Sequence, residues 1–380
     1  MRFAVDAHAI GQNLTGNETY IRNLLRGFAR VDKHADLIAY ISGGAAAEQI
    51  PSRFRTRLIP RNPFVRLGGQ LSARLREDRP ALVHVQYTAP LGCPAPVVVS
   101  VHDISFLTHP QYFTRLRSTQ LRTTVRQTVQ RAVRVLTPSE FSRRAIIEAY
   151  ALDEEKVVAV HNGVSGQFRP LPRRMAAAEL AMRLNIPVPY LLTVGDLQPR
   201  KNHLTLFRAY EEVLRAQPEL PHHLVVAGKE TWFSPVIHEA ARRSPFAGRI
   251  HFTGFVSDDD LLQLYAGCDL FVFPSFYEGF GLPILEAMAC GRAVACSDTS
   301  AIPEVADSAA LLFDPGSISE MARAIIDLLI EPELRARMER LGLQRAARFS
   351  WDRAAEATLA LYHEAAGATD SARAASAVRL

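Results

Sequence analysis

The sequence predicts an α/β protein of two Rossmann-like domains, each built on a doubly wound parallel sheet. Three observations favour this fold class: short apolar runs bounded by turn residues recur along the chain, helical patterns separate many of them, and the series breaks once and then restarts. Nearly continuous hydrophobicity is typical of strands buried on both faces, and strands that alternate with helices are typical of parallel sheets.

Eleven apolar runs predict strands. They are RFAVDA, LIAYIS, ALVHVQY, VVVSVHD, RVLTPS and VVAVHNG in the first half, then YLLTVGD, HLVVAGK, RIHFTGF, DLFVFPS and AVACS. Between two of them, NHLTLFRAYEEVLRA places Leu204, Phe207 and Leu214 on one stripe of a helix. Open α/β sheets bind ligands at the carboxyl ends of their strands, so we expect the two domains to face a cleft.

The domain boundary is predicted where the strand series stops. At 380 residues the chain is longer than one hydrophobic core usually supports, and residues 165–190 contain four prolines and a mixed helical stretch. We therefore predict a first domain at 1–168 and a second at 169–348. An amphipathic helix at 349–366 and a flexible tail at 367–380 are expected to follow.

The composition indicates an ordinary globular protein, with 48% hydrophobic and 22% charged residues. No apolar run of membrane-spanning length appears, and the N-terminus begins as a strand, so we expect a cytoplasmic protein. The four cysteines form neither a C-x-x-C pair nor a metal-like cluster, which favours reduced thiols in the core.

One segment is strongly basic. Between Tyr112 and Arg144 there are eight arginines and a single acid, Glu140. Such a face could meet anionic lipid headgroups or an anionic substrate, or it could simply be a solvated helix face. Nucleic acid is not expected as a partner, because no aromatic residues are interleaved for stacking.

The stretch FYEGFGLPILEAMACG, residues 276–291, holds two carboxylates, Glu278 and Glu286. We expect a strand, a glycine-containing turn, a helix with Pro283 at its first position and Glu286 in its first turn, and Gly291 just after its end. The turn would let backbone amides approach a ligand closely. Carboxylates and amides suit a polyhydroxyl ligand. The alternative is a structural corner in which Glu278 is solvated and Glu286 only favours the helix dipole.

Two cations, Arg200 and Lys201, directly precede a predicted helix that Asn202 is expected to cap. Cations beside a helix N-terminus form an anion site, particularly for a pyrophosphate. In the first half, Gly11 and Gly16 have the spacing of a phosphate-binding loop, but Asn17 replaces the lysine that an ATPase needs.

The first half also lacks the G-x-G-x-x-G pattern of NAD-binding domains. At a strand end there, His102 and Asp103 could contact substrate, although a buried histidine is more often structural. The acids 258–260 follow Ser257, a helix cap, and predict a helix start rather than a metal site.

With these motifs the chain resembles the GT-B retaining nucleotide-sugar glycosyltransferases of family 4, also described as glycosyltransferase group 1. The resemblance covers most of the chain and is sparser before residue 80. Its carriers are PSFYEGFGLPILEAMACG, VGDLQPRKN, TPSEFSRRAI, HNGV, FTGFVSDDDLLQLYAGCDLFVFPS and FSWDRAAEATLALY. Some relatives have arginine where this chain has Asp196.

The resemblance implies roles for the matching residues. Lys201 and Arg200 would hold the donor diphosphate, and Glu286 the ribose. The resemblance also implies that Gly16 lies near the diphosphate and that His102 lies near the sugar. Glu278 would face the sugar as well, together with the backbone amides of Gly279, Phe280, Gly281 and Leu282. The last helix would pack back on the first domain.

The implied activity is retaining transfer of a hexose, first of all mannose from GDP-mannose, to a glycan or lipid-linked acceptor of bacterial surface polysaccharide such as lipopolysaccharide. The donor is a GDP- or UDP-linked co-substrate, and neither a cofactor nor a metal is expected. The enzyme would work in the cytoplasm, at the inner face of an anionic membrane. Two alternatives are a sugar-nucleotide epimerase of the same fold and an inactive nucleotide-binding partner of a glycan assembly complex.

Overall fold

The computed structural model describes residues 1–12 and 15–377, which form two compact units. Unit 1 comprises Met1–Gly163 together with the described residues from Ser350 onward, and unit 2 comprises Val164–Phe349. The sequence places the first boundary at residue 168 and the second at residue 348. Each unit contains one parallel sheet with flanking helices, which confirms the predicted α/β class.

Unit 1 is built on seven parallel strands. They are β1 (Arg2–Asp6), β2 (Asp36–Ile41), β3 (Arg55–Leu58), β4 (Leu82–Gln86), β5 (Val97–Ser100), β6 (Arg134–Thr137) and β7 (Val157–Ala159). Their order is β3-β2-β1-β4-β5-β6-β7, so the direction of winding reverses between β1 and β4. The central strands are buried on both faces, which explains their continuous apolar sequence.

Helices cover both faces of this sheet. They are α1 (Thr15–Val31), α2 (Pro63–Val65), α3 (Leu71–Asp78), α4 (Ser105–Thr108), α5 (Arg115–Arg131), α6 (Glu140–Tyr150) and a C-terminal helix (Trp351–Ala377). Side chains of Thr114 and Ser139 cap α5 and α6 by accepting hydrogen bonds from backbone amides.

The C-terminal helix packs on α1 and β1. The ring of Tyr362 lies 5.3 Å from that of Phe3 and 5.7 Å from that of Phe28. The helix continues to Ala377, into the segment for which the sequence predicts a tail. Residues 378–380 lie outside the described residues, and the flexibility of the tail stays a prediction.

Gly163, in the HNGV motif, provides the space in which this helix begins. A Cβ atom at Gly163 would lie 2.1 Å from the backbone nitrogen of Trp351 and 2.5 Å from the carbonyl carbon of Ser350. We expect Gly163→Ala to destabilise unit 1 by about 2 kcal/mol or more, because backbone atoms would have to move. Thermal unfolding measures this loss. Gly44→Ala, where the added methyl meets no atom within 4 Å, is the matched control, and equal melting of both variants would contradict this account.

Unit 2 is built on six parallel strands. They are β8 (Tyr190–Val194), β9 (His223–Ala227), β10 (Ile250–Gly254), β11 (Leu270–Phe273), β12 (Val294–Ser297) and β13 (Leu311–Phe313). The order β10-β9-β8-β11-β12-β13 repeats the pattern of unit 1, with the reversal between β8 and β11. Its helices are α7 (Arg173–Leu184), α8 (His203–Ala216), α9 (Ser234–Arg243), α10 (Asp258–Gly267), α11 (Leu282–Ala289), α12 (Ile302–Ala306), α13 (Ile318–Ile330) and α14 (Pro332–Ala346).

All eleven predicted strands are present, and the described residues contain two further strands that the sequence did not predict. Both β3 and β13 lie at sheet edges. β3 reads RTRL and is largely exposed, while β13 has only three residues. Edge strands of this kind lack the continuous buried run on which the prediction depends. Within the described ranges, no helix is long and apolar enough to cross a lipid bilayer.

Candidate active site

The candidate site of unit 2 lies where the winding of its sheet reverses. Strands β8 and β11 are neighbours there, and the loops that follow them meet at the carboxyl edge. The amide of Phe276 donates to the carbonyl of Arg200 at 2.8 Å, and the Arg200 guanidinium donates to the carbonyl of Tyr277 at 3.1 Å. These two bonds fix the cationic turn after β8 against the acidic loop after β11.

A carboxylate between two cations is the main feature of this edge. One Glu278 oxygen lies 2.6 Å from Lys201 Nζ and the other 2.8 Å from Arg200 Nη1. Glu278 is 8% exposed. Burial alone would raise its carboxyl pKa, but Arg200 and Lys201 together lower that pKa to about 2. Glu278 is therefore ionised at neutral pH and holds both cations in place.

The side chain of Lys201 packs against Gly195, and Gly228 in turn makes room for the backbone of Gly195. A Cβ atom at Gly195 would lie 3.0 Å from Lys201 Cδ, and one at Gly228 would lie 1.9 Å from the Gly195 carbonyl oxygen. The Lys201 ammonium also lies 4.9 Å from the centre of the Phe273 ring, a cation–π contact. The ammonium is thus held in one position.

The backbone at Glu278 is fixed from the loop after β12. The Glu278 amide donates to Ser300 Oγ at 2.9 Å, and the Ala301 amide donates to the Glu278 carbonyl at 3.3 Å. Ser300 was not predicted from the sequence as a site residue. No local sequence pattern identifies this serine, because its contact with Glu278 depends on the pairing of β11 with β12.

The second acid, Glu286, lies deeper in α11 than predicted. The helix begins at Leu282 after Gly281, whose φ of 115° suits glycine, so Pro283 is its second residue and Glu286 its fifth. Glu286 is therefore not in the first turn. Its carboxylate accepts a hydrogen bond from the buried hydroxyl of Tyr265 at 2.9 Å. Burial and this carboxylate raise the pKa of Tyr265, which keeps the phenol protonated as a donor.

Asn202 occupies the predicted cap position but does not cap α8. Its backbone is left-handed, with a φ of 59°, and its side chain makes no capping bond to the helix. Instead its amide nitrogen donates to the carbonyls of Pro274 at 3.0 Å and Pro315 at 2.8 Å. Asn202 thus ties the turn that carries Lys201 to two other loops of the edge.

The remaining predicted site residues, Gly16 and His102, belong to unit 1. Gly16 is the second residue of α1 rather than part of a turn, and a Cβ atom there would meet no atom within 4 Å. His102 follows β5 and lies 3.0 Å from Gln86 Oε1 through its Nε2. Burial lowers the pKa of His102 to about 4, so its imidazole is neutral at neutral pH. Gln86 was not predicted from the sequence as a site residue.

The acids 258–260 form the start of α10, as predicted. Ser257 accepts a hydrogen bond from the amide of Asp260, whose carboxylate also pairs with Arg183. In the part of the chain that the structure describes, no group of three histidine, cysteine or acidic residues is arranged to hold a metal ion. Independence from metal stays a prediction.

The charge of Lys201 should set the alkaline limit of activity if it binds substrate phosphate. Burial lowers the pKa of its ammonium, and the attraction of Glu278 only partly offsets this. As pH rises, activity should therefore be lost at a lower pH than the one at which an ordinary lysine deprotonates. Lys201→Arg stays charged and should move this loss to higher pH. The pH profile of kcat/KM tests the shift, and identical alkaline limbs in both proteins would exclude Lys201 as the titrating group.

Two family descriptions match successive parts of the chain. Residues 14–167 match "Glycosyltransferase Family 4", and residues 183–345 match "Glycosyl transferases group 1". The O-antigen chain mannosyltransferase B of Escherichia coli is 33% identical over 265 residues, which cover 70% of this chain and 69% of that protein. The serotype-specific mannosyltransferase WbdA of Escherichia coli is 30% identical over 225 residues, or 58% of this chain but only 28% of that longer protein.

Solved structures support the fold. The HepE protein of Anabaena, crystallised with UDP and glucose, matches 96% of this chain and 100% of its own with a TM-score of 0.76 at 21% identity. At that identity the likeness concerns the fold alone. It agrees with the GT-B plan of two parallel-sheet α/β domains.

Proposed function

The chain belongs to the group 1 glycosyltransferases of family 4, and on that premise we propose that it transfers mannose from GDP-mannose to a glycan or lipid-linked acceptor, with retention of the anomeric configuration. The observation that carries this proposal is the cluster of Arg200, Glu278 and Lys201 at the carboxyl edge of unit 2. Two fixed cations suit a diphosphate, and the carboxylate between them suits a sugar.

In the proposed complex, Arg200 and Lys201 bind the donor diphosphate. Unit charges about 4 Å apart gain roughly 4 kcal/mol at an effective dielectric near 20. Because Glu278 already holds both cations in place, little reorganisation is needed when charge develops on the leaving group. Glu286, oriented by Tyr265, would accept hydrogen bonds from the ribose hydroxyls. The cations take the role that a metal has in other transferases, so the reaction needs no metal.

The proposed reaction step is front-face transfer, which retains the configuration without a covalent glycosyl-enzyme intermediate. The acceptor oxygen forms the new bond to C1 on the face from which the phosphate departs. The C1–O bond to the phosphate breaks with its electron pair on the phosphate oxygen, and that oxygen takes the acceptor's proton. Glu278 stabilises the positive charge of the sugar without attacking C1. With its pKa near 2, this carboxylate is charged throughout the neutral range.

The choice of mannose rests on the relatives. Both relatives from Escherichia coli are named mannosyltransferases, one of them for the O-antigen chain, which supports a role in lipopolysaccharide synthesis. HepE was crystallised with UDP and glucose, so a UDP-linked donor has to be compared directly. No observation favours the epimerase or the inactive partner over transfer.

Product analysis tests this function. The protein is incubated with GDP-mannose, UDP-glucose and UDP-N-acetylglucosamine in turn, with and without a lipid-linked glycan extract, and products are identified by mass spectrometry. We expect transfer of mannose from GDP-mannose to the extract, and no transfer from either UDP-linked donor. An altered sugar nucleotide without transfer would identify an epimerase. The inactive partner would bind nucleotide but turn over none of the donors, even on an extract that contains acceptors.

We also propose that α5 attaches the enzyme to an anionic membrane. Its five arginines are exposed, the helix contains no acid, and Leu116 is 82% exposed beside them. Basic side chains near an anionic surface each contribute about 1 kcal/mol, and salt screens this attraction.

Charge reversal on α5 should weaken membrane binding. We expect Arg122→Glu with Arg126→Glu to lower affinity for vesicles of equimolar phosphatidylglycerol and phosphatidylcholine by at least about tenfold. Sedimentation with vesicles at low and high salt measures this. The matched control reverses Arg242 and Arg243 of unit 2, which are also exposed and pair with Glu239. Affinity that is insensitive to salt and to the α5 variant would argue against this surface.

A further inference from the structure

Ser300, in the loop after β12, has a backbone conformation that serine rarely adopts. Its φ is 58°, in the left-handed region, where a side chain carries a steric cost that glycine avoids. Strained residues of this kind are concentrated at functional sites, and they persist only where surrounding contacts hold them. The contacts of Ser300 therefore indicate what its side chain contributes.

The hydroxyl of Ser300 makes a contact that glycine could not make. Its Oγ–H donates to the carbonyl of Thr299 at 2.6 Å, and this bond occupies the hydroxyl proton. The same oxygen accepts a hydrogen bond from the Glu278 amide at 2.9 Å. The hydroxyl is thus oriented as an acceptor for the amide of the acid at the proposed site.

The neighbours of this serine hold the same loop. The Thr299 hydroxyl donates to the carbonyl of Phe276 at 3.2 Å, and the Ala301 amide donates to the carbonyl of Glu278 at 3.3 Å. The Phe276 amide donates to the carbonyl of Arg200 at 2.8 Å. Loss of the serine hydroxyl would leave these three bonds in place and release only the Glu278 amide.

We propose that Ser300 is a positioning residue of the transfer reaction, whose hydroxyl orients the Glu278 backbone so that the carboxylate stabilises positive charge on the sugar. The inference rests on the proposed function, because it takes Glu278 as the acid that faces the sugar. Electrostatic stabilisation depends on groups that are already in place, so a small rotation of the Glu278 backbone lowers the rate. On this view the strain at Ser300 is retained because the hydroxyl serves activity rather than stability.

Two variants of the full-length protein separate activity from stability at this position. Ser300→Gly loses the hydroxyl and relieves the strain, whereas Ser300→Ala loses the hydroxyl and keeps the strain. We expect both to lower kcat with GDP-mannose by about 3- to 10-fold, a loss typical of one hydrogen bond. The melting temperature should fall in Ser300→Ala and stay close to that of the wild type in Ser300→Gly. Near wild-type kcat in Ser300→Gly would overturn the positioning role.

GDP binding and a second background show where the hydroxyl acts. Affinity for GDP, measured by calorimetry, should be unchanged in Ser300→Gly, because GDP carries no sugar and the cluster of Arg200 and Lys201 stays in place. Added to Glu278→Gln, the same change should lower kcat by less than about twofold. An equal loss of kcat in both backgrounds, or GDP binding that weakens in parallel with kcat, would exclude action through Glu278.

Ser244→Ala in unit 2 is the matched control. Ser244 Oγ also accepts a hydrogen bond from a backbone amide, that of Phe246, at 3.2 Å. The residue precedes β10 and therefore lies at the amino edge of the sheet, opposite the proposed site. We expect this variant to keep the kcat of the wild type, and a loss equal to that of Ser300→Gly would count against a specific role of Ser300.

Hydrogen exchange separates this inference from the proposed function, because it needs no turnover. The Glu278 amide should exchange at least about tenfold faster in Ser300→Gly than in the wild type, while the Phe276 amide keeps its rate. Faster exchange at Glu278 in a protein that turns over no donor would contradict the proposed transfer and still support the orientation of Glu278 by Ser300. An unchanged rate at Glu278 would overturn the inference even if transfer occurs.

Discussion

Replacement of Lys201 by alanine should lower kcat/KM for the nucleotide-sugar by about 10²- to 10³-fold. Two effects add in the same direction. The leaving diphosphate loses one of two cations, and the buried Glu278 loses the partner 2.6 Å away that holds one of its oxygens. Steady-state kinetics with GDP-mannose and a fixed acceptor measure the loss.

The control for this variant is Lys33→Ala, which removes an exposed lysine of unit 1. We expect it to retain the activity of the wild type. Lys201→Arg should recover part of the lost activity near neutral pH, because it restores the charge but not the compact ammonium geometry. Wild-type kcat/KM in Lys201→Ala would contradict a phosphate-binding role for this residue.

Replacement of Glu278 by glutamine should have a comparably large but different effect. We expect kcat to fall by about 10²- to 10³-fold, because an amide cannot stabilise positive charge on the sugar as a carboxylate does. Affinity for GDP should be at least that of the wild type, since Arg200 and Lys201 are no longer neutralised by the acid between them. Turnover and calorimetric binding of GDP together measure this split.

The same variant distinguishes a catalytic role of Glu278 from a purely structural one. A structural role alone would weaken GDP binding and turnover together, in parallel with a fall in melting temperature. Glu320→Gln, at the capped start of α13, is a control that changes one acid elsewhere in unit 2. A covalent glycosyl adduct trapped on Glu278 in the wild type would replace front-face transfer by a double displacement.

The sequence predicted the parts of the fold that depend on buried periodicity. Burial on both faces requires continuous apolar runs such as VVVS at β5, and these runs were recognised as strands. β3 and β13 were missed because an edge strand needs neither a long nor a continuous apolar run. The site residues Arg200, Lys201 and Glu278 were predicted from motifs, but their arrangement as one ion cluster came only from the structure.

What the sequence could not predict depends on pairing between distant segments. Ser300 and Tyr265 fix the two glutamates from other loops and helices, and neither carries a local pattern. Asparagine is a favoured helix cap, yet the side-chain amide of Asn202 donates to two carbonyls from distant loops instead of capping α8. Gln86 is a further case, since its side chain contacts His102, which follows the neighbouring strand β5.

The anomeric configuration of the product tests whether transfer occurs with retention. The full-length protein is incubated with GDP-α-mannose and a lipid-linked acceptor, and the new linkage is examined by NMR before any further modification. We expect an α-mannoside, formed on the face from which the phosphate departs. A β-mannoside would require attack from the opposite face and would contradict the proposed role of the Arg200, Glu278 and Lys201 cluster.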